Sequence, residues 1–435
     1  MNLNSDAAVA EASSESLTFA QWRMLILASL GGALEFYDFI IYGIFAQYIG
    51  SAFFPMADPV VALVLSFAVF AIGYLSRPLG GLILSHFGDR FGRKPVFIIS
   101  VMVVSLSTLA MGFIPTYATW GVFSTALMIS LRLVQGFCLG GEMPGSITYV
   151  VETVPHRAGF ACAFVFFFVN LGVIFGTVAN LVVQHAMSSA ELSTYGWRLP
   201  FIAGGIFGLC SFWMRRKLEE TREFSQMKHT AAKHPLREVL REHGKPVLIA
   251  IGATTAVAGY NGLMFAHMPA HLARVLQYDA RQAALAENVA LVVLSAGILF
   301  WGYMSDRMPR RFILGTGALL MVLFSYPFYL ALSSHSINLT VLLSLAALAG
   351  GFTSGTFASA IADLFPTRVR FSGVAVTYNI GFTIFSGTAP LIATSLIKLT
   401  GNNAAPSAFM AFCATLTVIA VFFLKRFSGK VVNEN

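Results

Sequence analysis

Charged side chains are scarce in this sequence. Asp, Glu, Lys and Arg make up 11% of 435 residues, 57% are hydrophobic, and mean hydropathy is +0.74. A soluble domain carries about 25% charge, so one water-surrounded core cannot hold this much apolar surface and the bilayer must act as solvent. Cysteine is scarce too. Cys138, Cys162, Cys210 and Cys413 fall inside apolar stretches without metal-ligand spacing and read as small buried hydrophobes. No His-Glu-x-x-His and no nucleophile–base spacing occurs, so an enzyme, a metal and a cofactor are not expected. The first twenty residues lack a basic start and an apolar run and read as a short disordered tail, so a cleaved signal peptide is not expected.

What is present is long apolar runs. Twelve stretches near 20 residues lie at about 24–50, 60–84, 96–114, 119–149, 159–187, 198–214, 246–272, 283–304, 312–332, 338–361, 371–398 and 404–424. They show no strand-like alternation and read as helices, as lipid demands of an unclosed chain. The expected fold is an all-α integral membrane protein of twelve transmembrane helices. The formal net charge of +8 is a topology signal. With the N-terminus in the cytosol, basic residues crowd the inner loops, among them Arg90, Arg93, Lys94, Arg157, Arg307, Arg310, Arg368 and the run from Arg215 to Lys245. The outer side keeps Arg198, Arg274, Arg281 and Lys398. This positive-inside bias predicts cytosolic termini, a bacterial inner-membrane location and no nucleic-acid partner.

The chain also repeats itself. Gly88-Asp89-Arg90-Phe91-Gly92-Arg93-Lys94 is echoed by Ser305-Asp306-Arg307-Met308-Pro309-Arg310-Arg311. Glu152-Thr153-Val154-Pro155-His156-Arg157 is echoed by Asp363-Leu364-Phe365-Pro366-Thr367-Arg368. The copies predict two pseudo-symmetric six-helix bundles, 22–214 and 246–426, joined by a cytosolic linker at 215–245. Disordered cytosolic tails are expected at 1–21 and 427–435. Parallel halves with a site between them at mid-membrane are a transporter design.

The first loop resembles the signature of the major facilitator superfamily, Gly-x-x-x-Asp-Arg-x-Gly-Arg-Lys, with Ser85 replacing the leading glycine. In the second copy Pro309 replaces the inner glycine, so a weaker gate is expected there. Further stretches resemble the metabolite:proton symporter branch: Leu34-Glu35-Phe36-Tyr37-Asp38-Phe39, Arg77-Pro78-Leu79-Gly80-Gly81, Arg132-Leu133-Val134-Gln135-Gly136-Phe137 through Gly141-Glu142, and Phe365 to Gly373 leading to Tyr378-Asn379-Ile380-Gly381-Phe382. The resemblance spans essentially the whole chain. It implies alternating access driven by a proton gradient, with substrates from citrate, α-ketoglutarate and shikimate to proline and betaine.

An ionisable group at mid-bilayer costs at least ~2.5–3.5 kcal/mol and is by default a functional candidate. Glu35, Asp38, Arg77, Arg132 and Glu142 lie inside predicted spans. At ~1.5 Å per residue, Asp38 sits roughly 21 Å from the cytosolic end of its helix and Arg132 roughly 20 Å from the outer end of its own. Glu35 and Asp38 are i, i+3 neighbours on one face, which Tyr42 extends. Asp38 and Arg132 read as a proton-coupling pair, against a permanent ion pair that only fixes packing. In that position they are similar to the Asp and Arg of sugar:proton symporters of the same superfamily. Glu35 is the second coupling candidate.

A cytosolic gate is expected from Asp89, Arg90, Arg93, Glu142, Glu152, Arg157, Asp306, Arg307, Asp363 and Arg368, with carboxylates pairing to arginines or helix N-termini. Arg77, beside Pro78, reads as a gate or packing group and stays among the substrate-facing candidates. The others are Tyr42, Asn170, Tyr260, Asn261, Tyr378 and Asn379, each of which helix–helix hydrogen bonds could equally satisfy. His267 and His271 are expected in a solvated outer position. The leading expectation is symport of a small di- or tricarboxylate by a monomer. The tilt to an acid comes from the short stretch after helix 12, where osmosensing relatives carry a long charged tail. Symport of a zwitterionic osmolyte such as proline or betaine is the alternative, and export comes third.

Overall fold

The computed structural model describes residues 17–54, 59–221, 225–226 and 235–427. The expected tails lie almost wholly outside the described residues, as do 222–224 and 227–234 of the expected linker. The long helices are α1 (Phe19–Ile44), α2 (Pro59–Phe91), α3 (Arg93–Phe113), α4 (Val122–Thr153), α5 (Ala158–Ala186), α6 (Arg198–Arg215), α7 (Gly244–Asn261), α8 (Ala280–Met304), α9 (Arg310–Ser333), α10 (Leu339–Ser354), α11 (Arg370–Gly381) and α12 (Pro406–Phe427). A short helix, Ala46–Phe53, continues α1. α7 runs on through π-helical turns at Gly262–His267 and His271–Val275, α10 resumes at Phe357–Ala362, and α11 continues through a π turn at Phe382–Ser386 into Ala389–Thr400.

Among the described residues, eleven helical stretches are long and apolar enough to cross a membrane. The exception is α6, with 18 residues and an arginine at each end. It packs along α3 as α12 packs along α9, so it fills the sixth place of the first repeat. The protein is an all-α, multi-pass membrane protein.

α2 continues past its expected end, which places Asp89 in the helix's last turn. The break comes at Gly92, whose φ of 114° favours glycine, and α3 starts at Arg93. Contacts divide the chain into two compact units. The first holds 26–146 and 168–231; the second holds the described parts of 1–25, 147–167 and 232–435. The division departs from the 22–214 and 246–426 bundles because the ends of α4 and α5 around 147–167 are ion-paired and capped by residues of the second repeat.

Candidate functional site

Close approach of α2 and α4 builds the charged site of the first unit. A Cβ on Gly136 would collide with the Gly73 carbonyl, one on Gly80 with the Phe137 carbonyl, and one on Gly140 with the Arg77 carbonyl. Small residues of this kind let membrane helices touch through their backbones. The contact sets Arg77 of α2 and Arg132 of α4 against the α1 face that carries Glu35, Asp38 and Tyr42.

Arg132 Nη1 lies 2.9 Å from Asp38 Oδ2 and also donates to Gln135 Oε1 at 2.6 Å. Gln135 Nε2 donates to Thr108 Oγ1 at 2.8 Å, and the Thr108 hydroxyl lies 3.1 Å from Asp38 Oδ1. Its one hydrogen serves either Asp38 or the Val104 carbonyl at 3.0 Å. The Arg132 guanidinium stacks 3.7 Å over the Tyr42 ring, and the Tyr42 hydroxyl donates to the Ser66 carbonyl at 3.3 Å. Tyr42 therefore serves as the floor beneath Arg132. Arg77 Nη1 stands 2.7 Å from Glu35 Oε1, an ionic contact outside hydrogen-bond alignment, and neither Glu35 oxygen has a hydrogen-bond partner among the described residues. All four charged residues are at most 8% exposed. Between them lies a cavity of about 20 Å³, also walled by Phe70, Tyr74 and Gln135, large enough for a single water. A larger cavity of about 420 Å³ in the second unit is walled by apolar side chains such as Phe324, Phe328 and Leu345 and by Tyr260. It presents no ionised group for coupling chemistry.

Thr108 and Gln135 escaped the sequence reading because neither is charged. The available signal was Gln135, one helical turn after Arg132. Arg215, at the start of the expected linker, is also part of the charged core. It is fully buried at the end of α6, pairs with Glu142 at 2.6 Å, donates to the carbonyls of Leu27 (2.8 Å) and Ala28 (2.6 Å), and lies over the Phe97 ring. Glu142, expected at the gate, is thus held inside the first unit in a clamp that ties α1, α4 and α6. In the same unit Asp89 and Arg93 are both buried and 3.3 Å apart, and Glu220 caps α3 by accepting from the Arg93 and Lys94 amides. Arg90 rests over the Phe91 ring. Asn170 is buried on α5.

The remaining gate residues meet in the second unit. Asp306 caps α5, accepting from Gly159 N at 2.6 Å and Phe160 N at 2.8 Å, where a helix N-terminus favours an anion. Burial raises the Asp306 carboxyl above the ordinary aspartate range, opposed by the Phe160 amide, Arg310, the Gly159 amide and Arg157. Arg310 pairs with both Asp306 and Asp363. Glu152 lies 3.5 Å from Arg370, and Arg368 lies 2.8 Å from Glu238. Arg307 stacks over the Tyr303 ring.

The second unit also holds the remaining substrate candidates. Tyr378 stacks on Phe382 at 4.4 Å with Phe357 beside both rings. Asn379 donates to the Ala375 carbonyl of its own helix. Tyr260 is buried against Gly350, and its neighbour Asn261 is half-buried. His267 and His271 contradict the solvated expectation. They are 5% and 1% exposed and stack at 5.0 Å at the π-helical end of α7, where packing of the His271 ring against Tyr329 keeps them from water. Cys210 departs the other way and is exposed on α6.

A sequence model of the Major Facilitator Superfamily matches residues 28–295 and 249–434. The chain belongs to the major facilitator superfamily. This family of membrane transporters is also reflected in individual relatives. The chain is 30% identical over 426 residues to the glycine betaine/proline/ectoine/pipecolic acid transporter OusA of Dickeya dadantii, covering 94% of this chain and 84% of the relative. It is 32% identical to the ectoine/proline transporter ProP of Corynebacterium glutamicum over 92% and 83% of the two chains. It is 30% identical to the proline/betaine transporter of Escherichia coli K12 over 94% and 84%. Among solved structures it resembles the proton:xylose symporter XylE bound to 6-bromo-6-deoxy-D-glucose, with TM-score 0.75, 17% identity and coverage of 94% and 96%. That likeness concerns the fold.

Proposed function

We propose that this transporter is a proton-coupled symporter of a zwitterionic osmolyte of the betaine or proline kind, importing it by alternating access with both termini in the cytosol. The carrying observation is the charge balance at the buried cavity, where Glu35 and Asp38 face Arg77 and Arg132. Two acids and two guanidiniums sum to zero. A zwitterion adds no net charge to that site before any proton is taken up, whereas a dicarboxylate adds two negative charges and must bring two protons to reach the same balance. Relatives named for betaine, proline and ectoine support the same side. The tilt towards an organic acid rested on the stretch after helix 12, which says nothing about what binds within the helices.

In this reading Asp38 is the coupling acid. Paired to Arg132 it is a carboxylate; carrying a proton it is neutral, and the two forms belong to different steps of the cycle. The Asp306 cap on α5 and the Arg310–Asp363 and Glu152–Arg370 pairs form the latch that breaks for release to the cytosol.

Proteoliposomes test the reading with labelled glycine betaine and proline, run beside citrate and α-ketoglutarate. A zwitterion moving with one proton carries a net positive charge, so a potential of about 100 mV, negative inside, adds about 2.3 kcal/mol of drive. A dicarboxylate moving with two protons carries none. The expected result is betaine or proline uptake stimulated by both the proton gradient and the potential. Gradient-driven uptake of citrate or α-ketoglutarate without betaine or proline overturns it.

A further inference from the structure

Arg132 is only half used by the network around it. Nη1 alone serves Asp38 and Gln135, while Nε and Nη2 have no hydrogen-bond partner among the described residues although the residue is 5% exposed. Those two groups form one edge of the guanidinium plane, the fork that matches the two oxygens of a carboxylate. Tyr42 covers one face of the plane at 3.7 Å, which fixes the fork's orientation. Arg132 is also a wall of the 20 Å³ cavity. An unpartnered buried guanidinium edge beside a cavity of one water's size is a built site for an oxyanion.

We propose that Arg132 is the receptor for the substrate's carboxylate, which docks on the Nε–Nη2 edge while Nη1 keeps Asp38. The identity of the carboxylate's bearer rests on the osmolyte reading above; the fork itself does not. A carboxylate is larger than the cavity, so docking requires it to widen. Phe70 and Tyr74 form the wall that is only partly buried. Once docked, the substrate carboxylate and Asp38 share one guanidinium, leaving a local excess of one negative charge. A proton on Asp38 cancels it. Substrate binding and proton binding thereby favour each other, as symport requires, and the coupling is reciprocal.

Calorimetry on the detergent-purified full chain tests this with glycine betaine, with choline, which has the same quaternary ammonium and an alcohol in place of the carboxylate, and with α-ketoglutarate. Wild type is expected to bind betaine about 10- to 100-fold more tightly than choline, the range for losing a charge-assisted hydrogen bond. Repeating the titration in buffers of different ionisation enthalpy should show about one proton taken up per betaine, as one acid sharing the guanidinium predicts. Asp38→Asn should keep betaine binding and lose the proton uptake. Arg132→Lys keeps the charge but not the fork and should bring betaine down to the level of choline. Equal binding of betaine and choline by wild type, or unchanged discrimination in Arg132→Lys, overturns the proposal. The wild-type comparison decides alone if that variant is not monodisperse. Binding of α-ketoglutarate but not betaine, lost in Arg132→Lys, would sink the osmolyte reading and leave the fork standing.

Discussion

Asp38→Asn separates coupling from binding, and the structure sets its size. With one proton per substrate, a gradient of one pH unit supplies about 1.4 kcal/mol and a potential of about 100 mV a further 2.3 kcal/mol. Together they support roughly 500-fold accumulation in wild-type proteoliposomes. Asparagine preserves the side chain's volume and imitates its protonated form. Its Oδ1 can accept from Arg132 while its amide donates to the Thr108 hydroxyl, whose own hydrogen turns to the Val104 carbonyl. Arg132 loses its counter-ion, at a cost of about 3–5 kcal/mol for a broken buried pair, so monodispersity is checked first. The accumulation ratio should fall to about 1, because no carried charge links the gradient to the substrate. Exchange of labelled for unlabelled substrate across the membrane should persist. An Asp38→Asn transporter that still concentrates substrate refutes the reasoning and moves the coupling acid elsewhere, with Glu35 next.

Gly136→Ala should fail to give folded protein, since its methyl group meets the Gly73 carbonyl; Gly43→Ala, with open space around it, should give wild-type yield by size-exclusion chromatography. Arg215→Ala strands Glu142 and two carbonyls and should cost about 3–5 kcal/mol in thermal or denaturant unfolding, whereas Arg215→Met with Glu142→Leu should recover most of that. Asp306→Ala leaves the α5 N-terminus uncapped and should lower the transport rate at nearly unchanged substrate affinity; a collapse of affinity would place Asp306 in the binding site.

The helices were legible because lipid demands long apolar runs, and the repeat was legible because its loops keep Asp, Arg and Pro at fixed spacing. The Asp38–Arg132 pairing followed from their similar depth together with the resemblance to sugar:proton symporters, since charges so far from water need partners. The partner of Glu142 did not follow, because Arg215 sits where the helix end blurs into a basic linker. The burial of His267 and His271 did not follow either, because they lie in π-helical turns that no apolar pattern announces and the contact with Tyr329 is visible only in the fold. Thr108 and Gln135 carry no charge, and only the folded arrangement shows that they close the ring around Asp38.

The repeat itself shows which of these groups the fold can do without. The offset of 211 that relates Glu152 to Asp363 carries Gly140 to Gly351, and 217 carries Gly80 to Gly297. In the second unit these glycines again bring two helices into backbone contact, α8 against α10. The same offsets carry Arg132 to Leu343 and Arg77 to Leu294, both buried and apolar. One scaffold therefore packs with guanidiniums in its first copy and with hydrocarbon in its second, so charge is not what joins the helices. Replacing buried ion pairs as whole pairs by apolar residues is often neutral or stabilising by about 1–4 kcal/mol. A quadruple variant, Glu35→Leu, Asp38→Leu, Arg77→Leu and Arg132→Met, should accordingly remain folded, with a thermal midpoint at or above that of wild type, and should transport nothing. A quadruple variant that unfolds would make the four charges structural; one that still accumulates betaine would remove them from the coupling mechanism.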